Sequence, residues 1–372
     1  MQPMELTPEL RHARPEPPLQ MEAIFGFQNQ LFHDMASALT ALGAYLGDRL
    51  DLFSVLARSS PASAEALARS AGLCPAMTAE WLKLMVCAGY VNYNPEERSF
   101  ALPDAHAVIL ANRSGPLSAG GGLQQIGAFA SQLPALRDAF TQGGGVPQHS
   151  YTDDLRDGME RMSATWFEHE LVSGWISALP DIRSRLEAGA AVADVGCGAG
   201  RALIELASTF PASRFVGYDA FEPALDQAAR HARAAGVAER IRFELRDMAN
   251  GLSDRFDLVC AFDSLHDVQD LTGAMRAIAD ALKKDGALLV LELPGTDDLL
   301  EERGPVGVIH HGTKLFYNLP VALAASGGHT PRPVTFTEEC MRRLCRGTRL
   351  EFVRTIPVRN PLHRLYQIRR RG

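Results

Sequence analysis

The sequence predicts an α/β fold: a parallel sheet wound with helices in its second half, preceded by a helical domain. Three observations predict it. A short apolar run, Ala190 to Val195, leads into Gly196, Gly198 and Gly200 and then into a helix-period segment from Ala202. Further strand-like runs follow, each separated from the next by a helix-period segment such as Ala224 to Ala235 or Thr272 to Leu282. Such alternation implies parallel strands, with ligands outside their carboxyl ends. Upstream of residue 112, apolar residues recur at helical spacing and finish in one short hairpin.

Composition bounds the class. A chain of 372 residues accommodates about two domains. Hydrophobic content of 46% and charged content of 22% are those of a soluble globular protein. A net charge of −7 argues against a nucleic-acid partner, which would favour a basic face. No apolar run is long enough to span a bilayer. The N-terminus lacks the basic and apolar regions of a secretory signal. Cys74, Cys87, Cys197, Cys260, Cys340 and Cys345 show no zinc spacing and read as buried, reduced thiols. A cytoplasmic protein without a metal site is expected.

The Pro-rich segment Pro3 to Pro18 places residues 1–20 as a disordered N-terminus. Residues 21–112 form the first domain. Its long first helix ends within Leu46 to Phe53. Ser63 to Gly72 is a short helix stopped by glycine, and Met77 to Ala88 a second. Tyr90 to Tyr93 and Ser99 to Leu102 alternate around the turn Asn94 to Arg98. Helix, turn, helix and hairpin make a winged helix. That architecture admits DNA binding, but Thr78 to Ala88 carries only Glu80 and Lys83 as charged groups, whereas phosphate contacts need several cations. A packing role at a dimer interface fits better.

Residues 113–180 are linker and cap helices, with glycine clusters at 120–122 and 143–145 and a long helix over roughly Asp153 to Ala178. Residues 181–372 hold the sheet. Its second strand, Ser213 to Asp219, ends in an acid; the third, Ile241 to Leu245, runs to Asp247-Met248. The fourth, Phe256 to Phe262, runs into Asp263-Ser264-Leu265-His266-Asp267. The fifth, Ala287 to Glu292, follows a helix end, Leu282 to Gly286, closed by glycine. Leu350 to Ile356 and Arg364 to Ile368 form a closing hairpin, with Asn360-Pro361 as its turn.

Glycines allow a tight turn and close approach of backbone to ligand, and the helix N-terminus behind them offers free N–H groups. The order is G-x-G-x-G, with Arg201 where the dinucleotide fingerprint needs its last glycine. Asp194 to Gly200 resembles the first motif of class I S-adenosylmethionine-dependent methyltransferases. From Leu46 onward the chain is similar to bacterial small-molecule O-methyltransferases with an N-terminal winged-helix dimerisation domain. The resemblance implies a Rossmann-like seven-stranded domain, S-adenosyl-L-methionine as cofactor and a homodimer. It places Asp194, Gly196, Gly198 and Gly200 around the cofactor, Asp219 on the ribose hydroxyls, and Asp247 with Met248 at the adenine. Asp263 either meets the cofactor's amino group or bonds within its own loop.

Methyl transfer to a hydroxyl requires loss of a proton, hence a general base. His266-Asp267 resembles the O-methyltransferase pattern in which the histidine takes that proton, although the tryptophan usual after the aspartate is Val268 here. A histidine that merely lines the pocket is the alternative. Tyr151, Trp166, Phe167 and His169 on the cap are candidates for the acceptor pocket, where an aromatic beside a sulfonium gains from cation–π attraction; ordinary core packing is the competing reading. The long insertion from Glu301 to Pro333 adds His310, His311, Tyr317 and Asn318, with Lys314 and Arg332 as possible partners of an acceptor carboxylate. The acceptor is expected to be a small molecule. A thiol acceptor, needing a weaker base, and a cofactor-sensing DNA regulator are the alternatives to oxygen methylation.

Overall fold

The computed structural model describes residues 20–296, 298–327, 336–360 and 362–371. The N-terminal segment 1–19, Arg332 and the turn residue Pro361 lie outside the described residues.

The first domain is helical. It comprises α1 (Met21–Arg49), α2 (Leu52–Ser59), α3 (Ala64–Ala71) and α4 (Pro75–Cys87), the hairpin β1 (Asn92–Asn94) and β2 (Ser99–Ala101), and α5 (Asp104–Leu110). Ser63 accepts the Ala66 N–H as N-cap of α3, and Gly72 closes that helix in the left-handed conformation. The first helix does not run to Phe53 as expected. Asp51 takes a φ of 57°, the chain turns, and Phe53 belongs to α2. The turn lets Phe53 stand edge-on to Trp81, with ring centroids 5.1 Å apart. Trp81 Nε1 also donates to the Gly43 carbonyl at 2.9 Å, fastening α4 to α1. The thiols of Cys74 and Cys87, expected to be buried, are exposed, because they sit at the two ends of α4; the other four are buried.

Helices α6 (Gly120–Ser131), α7 (Leu133–Gln142) and α8 (Asp153–Trp166) form the cap. The expected long helix continues past Trp166, but as π-helix over Phe167–Ile176. Helix α8 reaches back to α1 through a buried ion pair. Arg161 Nη1 and Nη2 donate to the two Asp48 carboxylate oxygens at 2.6 and 2.8 Å, with the Asp48 side chain 3% exposed. Asp48→Ala is expected to cost about 3–5 kcal/mol, since a partly buried guanidinium loses its partner. Urea denaturation measures this; an unchanged midpoint would refute it.

The second domain is built on one sheet. Helix α9 (Pro180–Ala188) leads to β3 (Ala191–Val195), α10 (Arg201–Thr209), β4 (Arg214–Asp219), α11 (Glu222–Ala234), β5 (Ile241–Leu245), β6 (Phe256–Phe262), α12 (Leu271–Ala281) and β7 (Leu282–Glu292). The insertion holds α13 (Pro305–Thr313), a π-helical turn over Lys314–Asn318 and α14 (Leu319–Ala325); α15 (Glu338–Cys345), β8 (Leu350–Ile356) and β9 (Arg364–Arg370) finish the chain. The sheet has seven strands in the order β5-β4-β3-β6-β7-β9-β8. Its pairs are parallel except those of β9, which runs against β7 and β8.

Side chains alternate across β3. Val192 packs into a core with Trp175, Leu186, Leu203 and Leu206, while Ala193 and Val195 face Met275, Ile278 and Met341 on the other side. Two local readings change. Between β5 and β6 there is only the 3-10 turn Met248–Asn250, not a helix. Residues 282–286 are not a glycine-closed helix end: α12 stops at Ala281, Leu282 already pairs with Phe256, and the left-handed residue is Asp285, φ 62°. No helix among the described residues is long and apolar enough to cross a membrane.

Candidate active site

The order of strands reverses between β3 and β6, and sheets of this kind bind ligands beyond the carboxyl ends at that point. The glycine loop follows β3 there. Gly196 has a φ of 71°, and a Cβ on it would lie 2.4 Å from Ser264 Cβ. Ser264 Oγ in turn donates to the Val195 carbonyl at 2.8 Å, so the loops after β3 and β6 touch with no room for a side chain. Asp219 accepts the Gly198 N–H on one carboxylate oxygen and the Phe221 N–H on the other, both at 2.9 Å. Burial raises its carboxyl above the usual range, although backbone N–H groups pull it down. Asp194 is fully buried and its Oδ1 has no hydrogen-bond partner. Burial, with Asp219 nearby, drives its carboxyl well above the ordinary carboxylate range. Asp247 is exposed and caps the following turn by accepting the Ala249 N–H, while Met248 is buried beside the loop.

On the loop after β6, His266 is gripped by acids. Its Nδ1 lies 2.8 Å from Glu292 Oε2 at the end of β7. The Glu292 carboxylate is fully buried and also accepts the Leu265 N–H at 2.7 Å and the His266 N–H at 3.3 Å. Asp267 Oδ1 is 3.5 Å from His266 Nε2. Burial works against a charged imidazole here, but Asp267, Glu292 and Asp263 together outweigh it and hold the His266 pKa well above its ordinary value. Asp263 adopts a φ of 55° and stands between two histidines, 3.8 Å from His266 Nδ1 and 3.4 Å from His363 Nε2. Burial favours its neutral form, yet His363 and His266 prevail and hold its carboxyl down to about 2. The ligand atoms of Asp263, His266 and Glu292 lie within 4.8 Å of one another, a spacing that could hold a cation. Both Glu292 oxygens are, however, already engaged by His266 and by backbone N–H groups.

The insertion covers this cluster. Asn318 Nδ2 donates to Asp267 Oδ1 at 3.5 Å. His310 is buried, and burial with Lys314 nearby lowers its pKa to about 4. Tyr317 is buried against Tyr151, edge to face at 5.2 Å, and accepts from Gln148. Tyr151 donates to the Phe316 carbonyl at 2.6 Å, tying cap to insertion, and its buried hydroxyl is pushed up to about 12. Trp166 lies against His363, ring centroids 4.4 Å apart. Three further candidates make contacts apart from this cluster. His169 is exposed, bonded to the Ser114 carbonyl at 3.1 Å. His311 is exposed and paired with Glu302. Phe167 packs in the core against Trp175 and Phe262. Sequence reasoning missed Glu292 and His363. An acid ending a wholly apolar strand signalled the first; nothing local signalled the second.

An α/β domain with a D-x-G-x-G-x-G loop at the switch point of a sheet in this order has the architecture of a class I methyltransferase. Residues 186–303 match the family described as a methyltransferase domain, and residues 36–112 match the Rv2258c-like winged HTH domain. The chain thus carries a methyltransferase domain behind an Rv2258c-like winged HTH domain. Solved structures share its fold along nearly the whole length. A mitomycin 7-O-methyltransferase is similar with a TM-score of 0.69 at 20% identity, over 94% of this chain and 100% of that one. Human N-acetylserotonin methyltransferase, solved with S-adenosylmethionine, is similar with a TM-score of 0.68 at 16% identity, over 93% and 98%. A putative O-methyltransferase from Nostoc punctiforme gives 0.66 at 16% identity, over 95% and 100%. A comparison with curated proteins finds no match.

Proposed function

We propose that the protein transfers a methyl group from S-adenosylmethionine to a hydroxyl of a small acceptor, with His266 as general base. The observation that carries the reading is the His266–Glu292 pair: a buried carboxylate holds an imidazole on the loop after β6, which touches the glycine loop through Ser264. The cofactor, when bound, supplies an electrophilic methyl on a sulfonium. The residues fit it. Asp194 offers a buried carboxyl with an unpaired oxygen, the Gly196 turn leaves space only for backbone, and Asp219 presents a carboxylate at the end of β4. Two neighbouring buried acids also favour a cationic ligand. On the acceptor side, His266 accepts the hydroxyl proton and keeps it as imidazolium beside Glu292, Asp267 and Asp263. Tyr317 and His310, both buried, and Asn318, bonded to Asp267, stand beside this cluster. Incubation with labelled S-adenosylmethionine and pools of phenols, thiols and acids tests the reading. Labelling of thiols alone would replace oxygen by sulfur as acceptor.

The same reading includes a homodimer. On α1, Phe25, Phe27, Phe32 and Leu39 are 55%, 65%, 61% and 62% exposed, a large apolar surface for a single chain. The only cation on α4, Lys83, is paired with Glu80 at 2.8 Å, which favours assembly over DNA binding for this domain. Analytical ultracentrifugation near neutral pH is expected to give a dimer at micromolar concentration. A fully active monomer would contradict it.

A further inference from the structure

Helix α8 carries two adjacent residues of opposite charge that grip different parts of the molecule. Arg161 holds Asp48 of α1. Glu160, with a side chain 10% exposed, turns toward the glycine loop. Arg201, the first residue of α10 after Gly200, brings Nε and Nη2 to Glu160 Oε1 at 2.6 and 2.5 Å. Gln227 of α11 donates to the other oxygen. His231 Nδ1 lies 3.4 Å from Glu160 Oε1 and 3.2 Å from the carbonyl of Ala199 within the loop. The carboxylate thus gathers the residue that ends the loop and the residue that holds the loop's backbone.

A loop whose glycines adopt positive φ has no stiffness of its own. Its shape must be imposed by neighbours, and pre-organisation of a binding loop raises affinity. We infer that Glu160 is a positioning residue for the cofactor loop, fixing the backbone at 197–200 through Arg201 and His231. The inference rests on the reading of that loop as the S-adenosylmethionine site. It also makes α8 a strut: the residue beside the loop clamp is the anchor to α1, so the N-terminal domain supports the geometry of the cofactor site.

Calorimetric titration with S-adenosylhomocysteine tests this, on wild type, Glu160→Ala and Glu160→Gln, with thermal melts alongside. Loss of a charge-assisted contact is expected to weaken binding roughly tenfold or more in Glu160→Ala. Glu160→Gln, which keeps an acceptor for Arg201, is expected to recover part of that loss. In turnover, KM for S-adenosylmethionine should rise while KM for the acceptor stays put. A residue that only glued α8 to α10 would lower the melting temperature and leave affinity alone. Affinity in Glu160→Ala within about twofold of wild type, a difference under half a kcal/mol, overturns the inference. If Glu160→Ala does not fold, Glu160→Gln decides on the same scale. Failure of the wild type itself to bind overturns the reading of the loop instead.

Discussion

His266→Ala is expected to lower kcat by roughly 10²–10⁴, the usual contribution of a positioned base. The loss should fall on kcat because proton acceptance matters in the transition state. His266→Asn fills similar space and keeps hydrogen bonding, but accepts no proton near neutrality; it should be nearly as impaired. The pH profile carries the sign of the electrostatics. The base form of His266 is the neutral imidazole, and three carboxylates hold its pKa well above the ordinary histidine range. The rising limb of kcat/KM should therefore lie on the alkaline side of that range, with activity lost as pH falls. Glu292→Gln removes one of the charges that favour imidazolium, so the limb should move to lower pH. A limb that stays in place would mean Glu292 only orients the ring. For a thiol acceptor, His266→Ala should lose less and recover at high pH, because thiolate forms without help. Wild-type rates from both His266 variants would remove the residue from catalysis.

The second large effect is expected at Asp219. Charge-assisted hydrogen bonds contribute about 1.5–3 kcal/mol each, and two ribose hydroxyls could share this carboxylate. Asp219→Ala should weaken S-adenosylmethionine binding by about a hundredfold, with the fold retained. It also frees the Gly198 and Phe221 N–H groups, which Asp219 holds at 2.9 Å, so the loop loses an anchor as well as a ligand contact. Asp219→Asn keeps one oxygen for Gly198 and should fall between wild type and alanine. Unchanged affinity by calorimetry would take Asp219 out of the site, and tight NAD binding would sink the cofactor assignment.

The parts of this design legible in the sequence are those written locally. Ala190 to Val195 is apolar but for Asp194 because β3 is buried on both faces, and Gly196 and Gly200 after it mark turns with no room for a side chain. His266 was visible because the chain around it resembles a known pattern. The rest depends on contacts between distant positions. Glu292 meets His266 only because β6 and β7 lie side by side in parallel, which brings their carboxyl ends together. His363 reaches Asp263 from the loop between β8 and β9, about a hundred residues away, by a path no periodicity encodes. Glu160 reads as one more surface charge on an amphipathic helix until α10 and α11 are seen to deliver Arg201, Gln227 and His231 to it. Phe53 and the 282–286 segment were misread for a related reason. Single residues in left-handed conformations, Asp51 and Asp285, end or redirect elements there without glycine to announce them.

The π-helical stretch after Trp166 bears on how this chain can change. Each of its turns encloses one more residue than an α-turn, since carbonyls bond five positions ahead rather than four. The Ser177 hydroxyl follows the same wider spacing, donating to the Val172 carbonyl at 2.8 Å. The segment therefore holds a spare residue between two fixed walls. Upstream, Trp166 is set against His363. Downstream, Trp175 is locked into the core beside Phe262. Deleting one residue between them would let the coil tighten to an ordinary α-turn while both walls keep their places. Trp166 would stay against His363 and Trp175 in the core. A one-codon loss is thus a change in length that this scaffold can absorb here, where the same loss from an α-helical stretch would turn one wall away from the other.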